Sequence, residues 1–356
     1  MSLHIKSNAE SKWSFEKDLD FILSSTEDVF RNLNGGHVFL TGGTGFIGCW
    51  LLESLRYANQ RLALDIKVTI LTRNSLAFFK KAPHLSVDKN FKFMPGDVCD
   101  FEYPTDAFTH VIHAATDASA QLTEQNPIQM FNTVVEGTRN VLNFAFDKKA
   151  EKILFLSSGA IYGQQPGDIE KIPETWLGSL NCLDPNAAYA EGKRSAEMMC
   201  AIYAKQKGLH ISIARIFALL GPYLPLDTHF AAGNFIRDAM QGKSITVQGN
   251  GLPCRSYLYA ADLTVWLWHL LMRGQSNKAY NVGSDDSISI KHLAEITSKV
   301  LANGDYQILG VNDGGWNLGR YVPDTRLVNQ ELGLYKTVSL DDAIKRTALW
   351  YGWKPS

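Results

Sequence analysis

The sequence predicts an α/β protein, a doubly wound parallel sheet with helices on both faces followed by a smaller C-terminal lobe. Three observations lead there. Strand-like and helix-like stretches alternate from residue 36 onward. A glycine-rich turn, Gly42-Gly-Thr-Gly45-Phe-Ile-Gly48, stands where the first strand hands over to the first helix. After residue 216 the texture changes, with Pro222, Pro225 and Pro253, several glycines and fewer long apolar strands.

The glycine turn organises the rest. A short apolar run at 38–40 precedes it, and a helical pattern through Trp50, Leu51, Leu52 and Leu55 follows it. Glycines at 42, 45 and 48 keep the G-x-x-G-x-x-G spacing. Physically this is a strand ending in a tight turn, bare backbone that a pyrophosphate can approach, and a helix whose first N–H groups face that anion. Glycine triplets also occur in ordinary turns, so the placement between strand and helix carries the reading, and it makes the fold Rossmann-type.

The other elements follow in order. Residues 1–35 form an N-terminal extension in which Phe15, Leu19, Ile22 and Leu23 recur at helical spacing. Thr26 with Val29, Phe30 and Leu33 suggests a second helical piece. A helix docked on the surface is the plain expectation, and a lid or a subunit contact the sharper one. Strands are expected at 37–41, 67–72, 91–94, 110–113, 153–157 and 210–215, and helices at 46–58, 127–147 and 187–207. The first βαβ unit, 38–71, has the length of a mononucleotide-binding half. Residues 36–216 then make the dinucleotide-binding domain, and 217–356 mainly a substrate-binding lobe with some segments returning to the first domain. Such a lobe would cover the carboxyl ends of the strands, where open α/β sheets bind their ligands.

Bulk properties exclude several classes. At 45% hydrophobic, 20% charged and a net charge of −1, the chain has no basic tract that would mark a nucleic-acid partner. The five cysteines (Cys49, Cys99, Cys182, Cys200, Cys254) form no C-x-x-C pair, which favours reduced thiols over a disulfide frame or a metal site. The most apolar window, 265–272, is too short to span a bilayer, and no secretory leader is seen. The expectation is a soluble cytoplasmic protein with no metal and no membrane partner.

Two further stretches carry chemistry. Tyr189 and Lys193 lie four apart, on one face of a helix. The pair alone says little, because Tyr203 and Lys207 repeat it. Tyr189, however, begins its helix just after Asp184-Pro185-Asn186, where a side chain can face the strand ends, whereas Tyr203 sits about 21 Å further along at 1.5 Å per residue. Ser157-Ser158-Gly159 closes an apolar strand and puts a hydroxyl in the same crevice.

In order along the chain stand the glycine turn, Gly96-Asp97-Val98-Cys99-Asp100, His113-Ala114-Ala115, Ser157-Ser158-Gly159-Ala160-Ile161-Tyr162-Gly163 and Tyr189-x-x-x-Lys193. Arg215-Ile-Phe, Gly221-Pro222, Arg255-Ser-Tyr-Leu-Tyr-Ala-Ala-Asp262 and Tyr280-Asn-Val-Gly283 complete the series. This ordered set resembles the extended short-chain dehydrogenase/reductases, in their nucleotide-sugar epimerase/dehydratase branch. The resemblance implies that Gly42, Gly45, Phe46, Ile47, Gly48, Arg73, Asp97, Val98, Ala114 and Ala115, with Tyr189 and Lys193, hold NAD or NADP. It implies that Tyr189 is the acid/base at a sugar hydroxyl. Lys193 and a positive nicotinamide would then lower its pKa from the usual value near 10. Ser158 would bond the reacting oxygen, and Asn234, Arg255 and Arg320 would contact a nucleoside-diphosphate sugar, the arginines at its diphosphate. A homodimer built on helices 127–147 and 187–207 is also implied.

The sequence departs from the branch in telling places. Sugar-nucleotide 4,6-dehydratases carry Asp-Glu directly after the catalytic hydroxyl residue, and the glucuronate decarboxylases usually have glutamate at the second of these positions. Here stand Gly159 and Ala160, which move no proton. Ala218 and Val134 replace two common asparagines. The second strand ends Leu71-Thr72-Arg73-Asn74 in place of the acidic residue of NAD-specific members, and Arg73 suits either a 2′-phosphate or stacking on the adenine. The reading that follows is a nucleoside-diphosphate-sugar epimerase, at C4, working through a transient keto-sugar and bound NAD. Its rivals are an NADPH-dependent 4-keto-6-deoxy-sugar nucleotide reductase, a UDP-glucuronate decarboxylase or 4,6-dehydratase-like enzyme, and a non-catalytic dinucleotide-binding scaffold. An acid/base set has no use in the last.

Overall fold

A computed structural model of the chain describes residues 13–116, 125–178, 180–227, 230–301, 304–310 and 319–355. Its centre is a seven-stranded, wholly parallel sheet. The strands are β1 (His37–Thr41), β2 (Lys67–Thr72), β3 (Phe91–Pro95), β4 (His110–His113), β5 (Lys152–Ser158), β6 (Ile211–Ile216) and β11 (Lys278–Val282). They lie in the order β11-β6-β5-β4-β1-β2-β3. The chain winds outward from β1 in one direction and from β4 in the other, so a crevice opens between the carboxyl ends of these two strands. The inner strands are buried on both faces, which is why they read as continuous apolar runs, while the edge strand β3 exposes Lys92 and Pro95.

Helix α2 (Phe46–Leu62) follows β1 through the glycine turn, and helices α5 (Pro127–Asp147) and α6 (Ala188–Lys207) lie side by side. The expected helix at 46–58 runs a turn further, because Tyr57 and Ala58 are still buried and the chain leaves only at Ala63, in left-handed conformation. The helix expected from 187 begins at Ala188, since Pro185–Ala187 form a short 3-10 turn whose first N–H groups Asp184 caps.

Strand β11 was not among the expected strands; Tyr280, Asn281 and Val282 are buried against β6. The apolar window at 265–272 belongs to helix α8 (Ala260–Arg273), buried almost throughout. It is enclosed because helix α1 (Phe15–Asn32) packs over it. The two expected N-terminal pieces are this single helix, kinked at Thr26, where φ −133° and ψ 15° break the pattern. Buried Asp18 anchors α1 by accepting from Tyr259 (2.5 Å), Arg346 (2.7 Å) and Trp13 (3.1 Å). Burial raises its pKa and those donors pull it back. Three two-stranded sheets gather the C-terminal segments: β7 (Leu219–Leu220) with β10 (Leu258–Tyr259), β9 (Cys254–Arg255) with β12 (Ile288–Ser289), and β8 (Ile245–Val247) with β13 (Tyr306–Ile308). No helix among the described residues is long and apolar enough to cross a membrane, and no group of three His, Cys, Asp or Glu among them could hold a metal ion. All five cysteines are free thiols.

Candidate active site

A cavity of about 1200 Å³ opens at the carboxyl ends of β1, β4 and β5. One end is built mostly of backbone. Gly42 has φ +71°, and a Cβ on it would lie 2.6 Å from the Ala114 backbone. A Cβ on Gly48 would lie 2.4 Å from the Gly43 backbone, so α2 meets the turn with no room for a side chain. Gly45 caps α2 without a side chain, and no acid stands in its first turn. The helix therefore presents its first N–H groups and positive end to the cavity.

Below the turn, Thr138 Oγ1 donates to the Val134 carbonyl at 2.6 Å and has no proton left for His113. His113 Nε2 must then donate to Thr138 (3.1 Å), while Nδ1 accepts from Thr41 (2.8 Å). Thr41 in turn accepts from the Ala115 N–H at 3.1 Å. Burial pushes the His113 pKa down to about 3, which keeps the ring neutral and its Nδ1 an acceptor in this run of bonds between β1 and β4.

Gly42, Gly45, Phe46, Ile47, Gly48, Arg73, Asp97, Val98, Ala114 and Ala115 all line this cavity, as do Ser158, Tyr189, Lys193 and Arg255. Open glycines, an uncapped helix start and flanking apolar walls fit a dinucleotide.

At the middle of the cavity stands Ser158, the last residue of β5. Its Oγ accepts from the Ala160 N–H at 3.1 Å, and Tyr189 and Tyr321 line the same cavity. Lys193 is buried and donates to the Leu156 carbonyl at 2.7 Å. Burial pushes its pKa down to about 7, against the pull of Glu197. For Tyr189 the expected lowering is not what the protein alone provides. Burial raises its pKa, the hydrogen bond to Ser158 opposes that, and Lys193 is too poorly solvated to be a strong cation.

The remaining substrate calls divide. Arg255 lines the cavity, its Nη1 donating to the carbonyls of Cys254 (2.9 Å) and Gly319. Asn234 does not line it: its Oδ1 accepts from Arg237 at 3.1 Å, one turn beyond the lining residues Ala231 and Ala232. Arg320 does not line it either; its neighbour Tyr321 does, since successive side chains of an extended segment point opposite ways. Tyr203, the rival tyrosine, bonds Asn143 of α5 at 2.6 Å.

The model of the NAD dependent epimerase/dehydratase family matches residues 38–283. The chain belongs to that family, and it is an enzyme. UDP-glucuronic acid decarboxylase 5 of Arabidopsis thaliana is 30% identical, over 86% of this chain and 86% of the relative. UDP-glucuronic acid decarboxylase 1 of Xenopus tropicalis is 27% identical, over 99% of this chain and 84% of the relative. An epimerase of Methanothermobacter thermautotrophicus has the same fold, with TM-score 0.78 at 23% identity, covering 92% of this chain and 96% of that one. UDP-N-acetylglucosamine 4-epimerase of Methanobrevibacter ruminantium gives 0.76 at 22%, over 89% and 98%.

Within this family member, two features at or beside the cavity escaped the motif reading. Glu197 accepts from Ser157 at 2.5 Å and from Arg215 Nη2 at 2.7 Å, bracing the end of β5. It continues the four-residue step Tyr189, Lys193, Glu197, which helical periodicity alone could have flagged. The other is Tyr321, far along the chain with no local signal. Its ring packs tilted against Phe217 with centroids 4.5 Å apart, and a Cβ on Gly159 would meet Phe217 at 2.6 Å and the Tyr321 hydroxyl at 2.7 Å. Gly159 is thus fixed by these two rings, which stand where a residue-159 side chain would project.

Proposed function

We propose that the chain interconverts alcohol and ketone at C4 of a nucleoside-diphosphate sugar, as a C4 epimerase with bound NAD. The observation that carries this is the convergence of Ser158, Tyr189 and Lys193 on one cavity whose next two residues, Gly159 and Ala160, hold no acid. Alcohol–ketone chemistry needs only one proton carrier, which Tyr189 supplies by taking the hydroxyl proton as the ketone forms and returning it afterwards. Ser158 holds the same oxygen in each half-reaction, the ketone turning its other face to the nicotinamide between them, and the charged form of Lys193, one helical turn from Tyr189, would favour the phenolate. Bound NAD supplies the hydride acceptor and donor. Arg255 pairs with the diphosphate. Dehydration or decarboxylation would ask for a further acid beside Ser158, and none stands at 159 or 160.

A second reading, a one-way NADPH-dependent reductase of a 4-keto-6-deoxy sugar nucleotide, is favoured by Arg73 just after β2. Mass spectrometry of the small molecules released from freshly purified protein separates the two. We expect stoichiometric NAD; an empty protein that consumes added NADPH would replace the epimerase by the reductase.

We place the enzyme in the cytosol on its free thiols, and pair it as a homodimer through α5 and α6, where Ile128, Phe131, Phe146, Met198 and Ile202 remain exposed. Sedimentation showing only monomer at micromolar concentration would remove the dimer.

A further inference from the structure

Tyr189, Lys193 and Glu197 stand four apart on α6, and the last two grip consecutive residues of β5. Lys193 Nζ donates to the Leu156 carbonyl at 2.7 Å, and Ser157 Oγ donates to Glu197 Oε1 at 2.5 Å. The next residue along the strand is Ser158. Ser157 lines the cavity too, but its single proton is committed to Glu197, so the two adjacent serines are not interchangeable.

Glu197 is itself held from β6. Arg215 stands in register with Ser157 on one side and with Asn281 of β11 on the other. It donates to Glu197 through Nε at 3.1 Å and through Nη2 at 2.7 Å, and both side chains are largely buried. Its Nη1 donates to the Tyr162 hydroxyl at 2.8 Å, which in turn donates to Asn281 Oδ1 at 2.8 Å. Tyr162 closes the 3-10 turn that begins at Gly159. Ser158 is therefore flanked by two residues, Ser157 before it and Tyr162 after it, tied to the same guanidinium–carboxylate pair. Two-pronged pairs of this kind fix geometry as well as charge.

We propose that Glu197 is a positioning residue for this reaction: locked by Arg215, it takes the Ser157 proton and so fixes the Ser158 end of β5 against the helix that carries Tyr189 and Lys193. It does not line the cavity and acts through Ser157. Its charge also opposes the burial that brings the Lys193 pKa down to about 7. This inference rests on the roles given above to Ser158, Tyr189 and Lys193.

The test is a double-mutant cycle. Ser157→Ala removes the bond to Glu197 and leaves the Glu197–Arg215 pair intact. Turnover would be followed with whichever of UDP-glucose, UDP-N-acetylglucosamine, UDP-glucuronate and a dTDP-4-keto-6-deoxy sugar the unaltered enzyme converts. We expect Ser157→Ala to lower kcat about 10- to 100-fold, with KM and the Kd for NAD within about twofold, as misplaced reacting groups do. Glu197→Gln should lower kcat at least as much, and adding Ser157→Ala to it should cost less than about twofold more. An unchanged kcat in Ser157→Ala, an additive loss in the double variant, or a parallel loss of NAD affinity overturns the inference. Glu197→Gln leaves Arg215 without its anion, and if that variant does not fold, Ser157→Ala decides alone.

A second readout needs no sugar: the 13Cζ resonance of tyrosine-labelled, NAD-loaded protein, the Tyr189 signal being assigned by its absence in Tyr189→Phe. Ser157→Ala should move the Tyr189 titration up by about half a pH unit, as Ser158 and Lys193 are less squarely set against the phenolate. An unmoved titration, or none up to pH 10 in either protein, counts against the inference. Should Tyr189→Phe keep turnover, or the unaltered enzyme convert none of the four sugars, the reading of the site falls, and the titration alone judges Glu197. Should Tyr189→Phe abolish turnover while Ser157→Ala does nothing, only the inference falls.

Discussion

The two ends of the cavity are made of different material. The end beneath α2 is backbone: three glycines, a helix start and two strands tied by His113, all within one stretch of chain and its neighbours in the sheet. The end around Tyr321 is side chain, with Phe217, Arg255 and Tyr257 brought from separate C-terminal segments to meet Ser158. Backbone cannot rearrange without breaking the fold, whereas packed side chains can be exchanged. The first end thus suits a constant ligand part, and the second is where members of one family can differ in what they transform.

Two glycines expose that difference when each gains one methyl group. Gly42→Ala forces a side chain onto φ +71° and against the Ala114 backbone. Strain and overpacking together should cost about 2–4 kcal/mol, and the bound dinucleotide should be lost. Gly159→Ala instead presses on the Phe217 ring and the Tyr321 hydroxyl, side-chain atoms rather than backbone. Its stability cost should be nearer about 1 kcal/mol, with dinucleotide retained and turnover reduced about tenfold or more as Ser158 loses its setting. Thermal melting and nucleotide release measure both. If Gly159→Ala sheds its dinucleotide as readily as Gly42→Ala, the division between a backbone end and a side-chain end is wrong.

The same contrast explains what the sequence made legible. Glycine spacing, strand–helix alternation and Tyr189-x-x-x-Lys193 are local patterns, and the cavity gathers those residues together. Tyr321 lies 163 positions from Ser158 and is brought there by a backbone bridge to Arg255, which no spacing encodes. Arg320, expected at the diphosphate, does not line the cavity while Tyr321 does, and in an extended segment one residue reverses the face. Asn234 fits the motif wording but is held by Arg237 on its own helix. The raised pKa of Tyr189 was hidden for a different reason: it depends on how completely the folded chain dries the phenol and Lys193, and motif order says nothing about that. Helix α8 shows the reverse case, since its apolar run was plain and only the tertiary partner, α1, was missing.

The backbone end still has one side-chain corner, and there the cofactor choice is made. Arg73, Asn74 and Lys81 line the cavity beyond β2, and the one carboxylate among the described lining residues is Asp97, after β3. Asn74 turns its Oδ1 to the Ala77 N–H, accepting at 3.0 Å. A corner of donors lacks the paired acceptors that select a bare ribose diol, and a guanidinium suits a phosphate. Arg73→Ala should therefore raise the Kd for NADP about tenfold, equivalent to about 1.4 kcal/mol, and leave the Kd for NAD within about twofold. Calorimetric titration of both nucleotides into the stripped protein checks this. Equal weakening of both would mean that Arg73 stacks on the adenine they share, and the reductase reading would lose the guanidinium on which it chiefly depends.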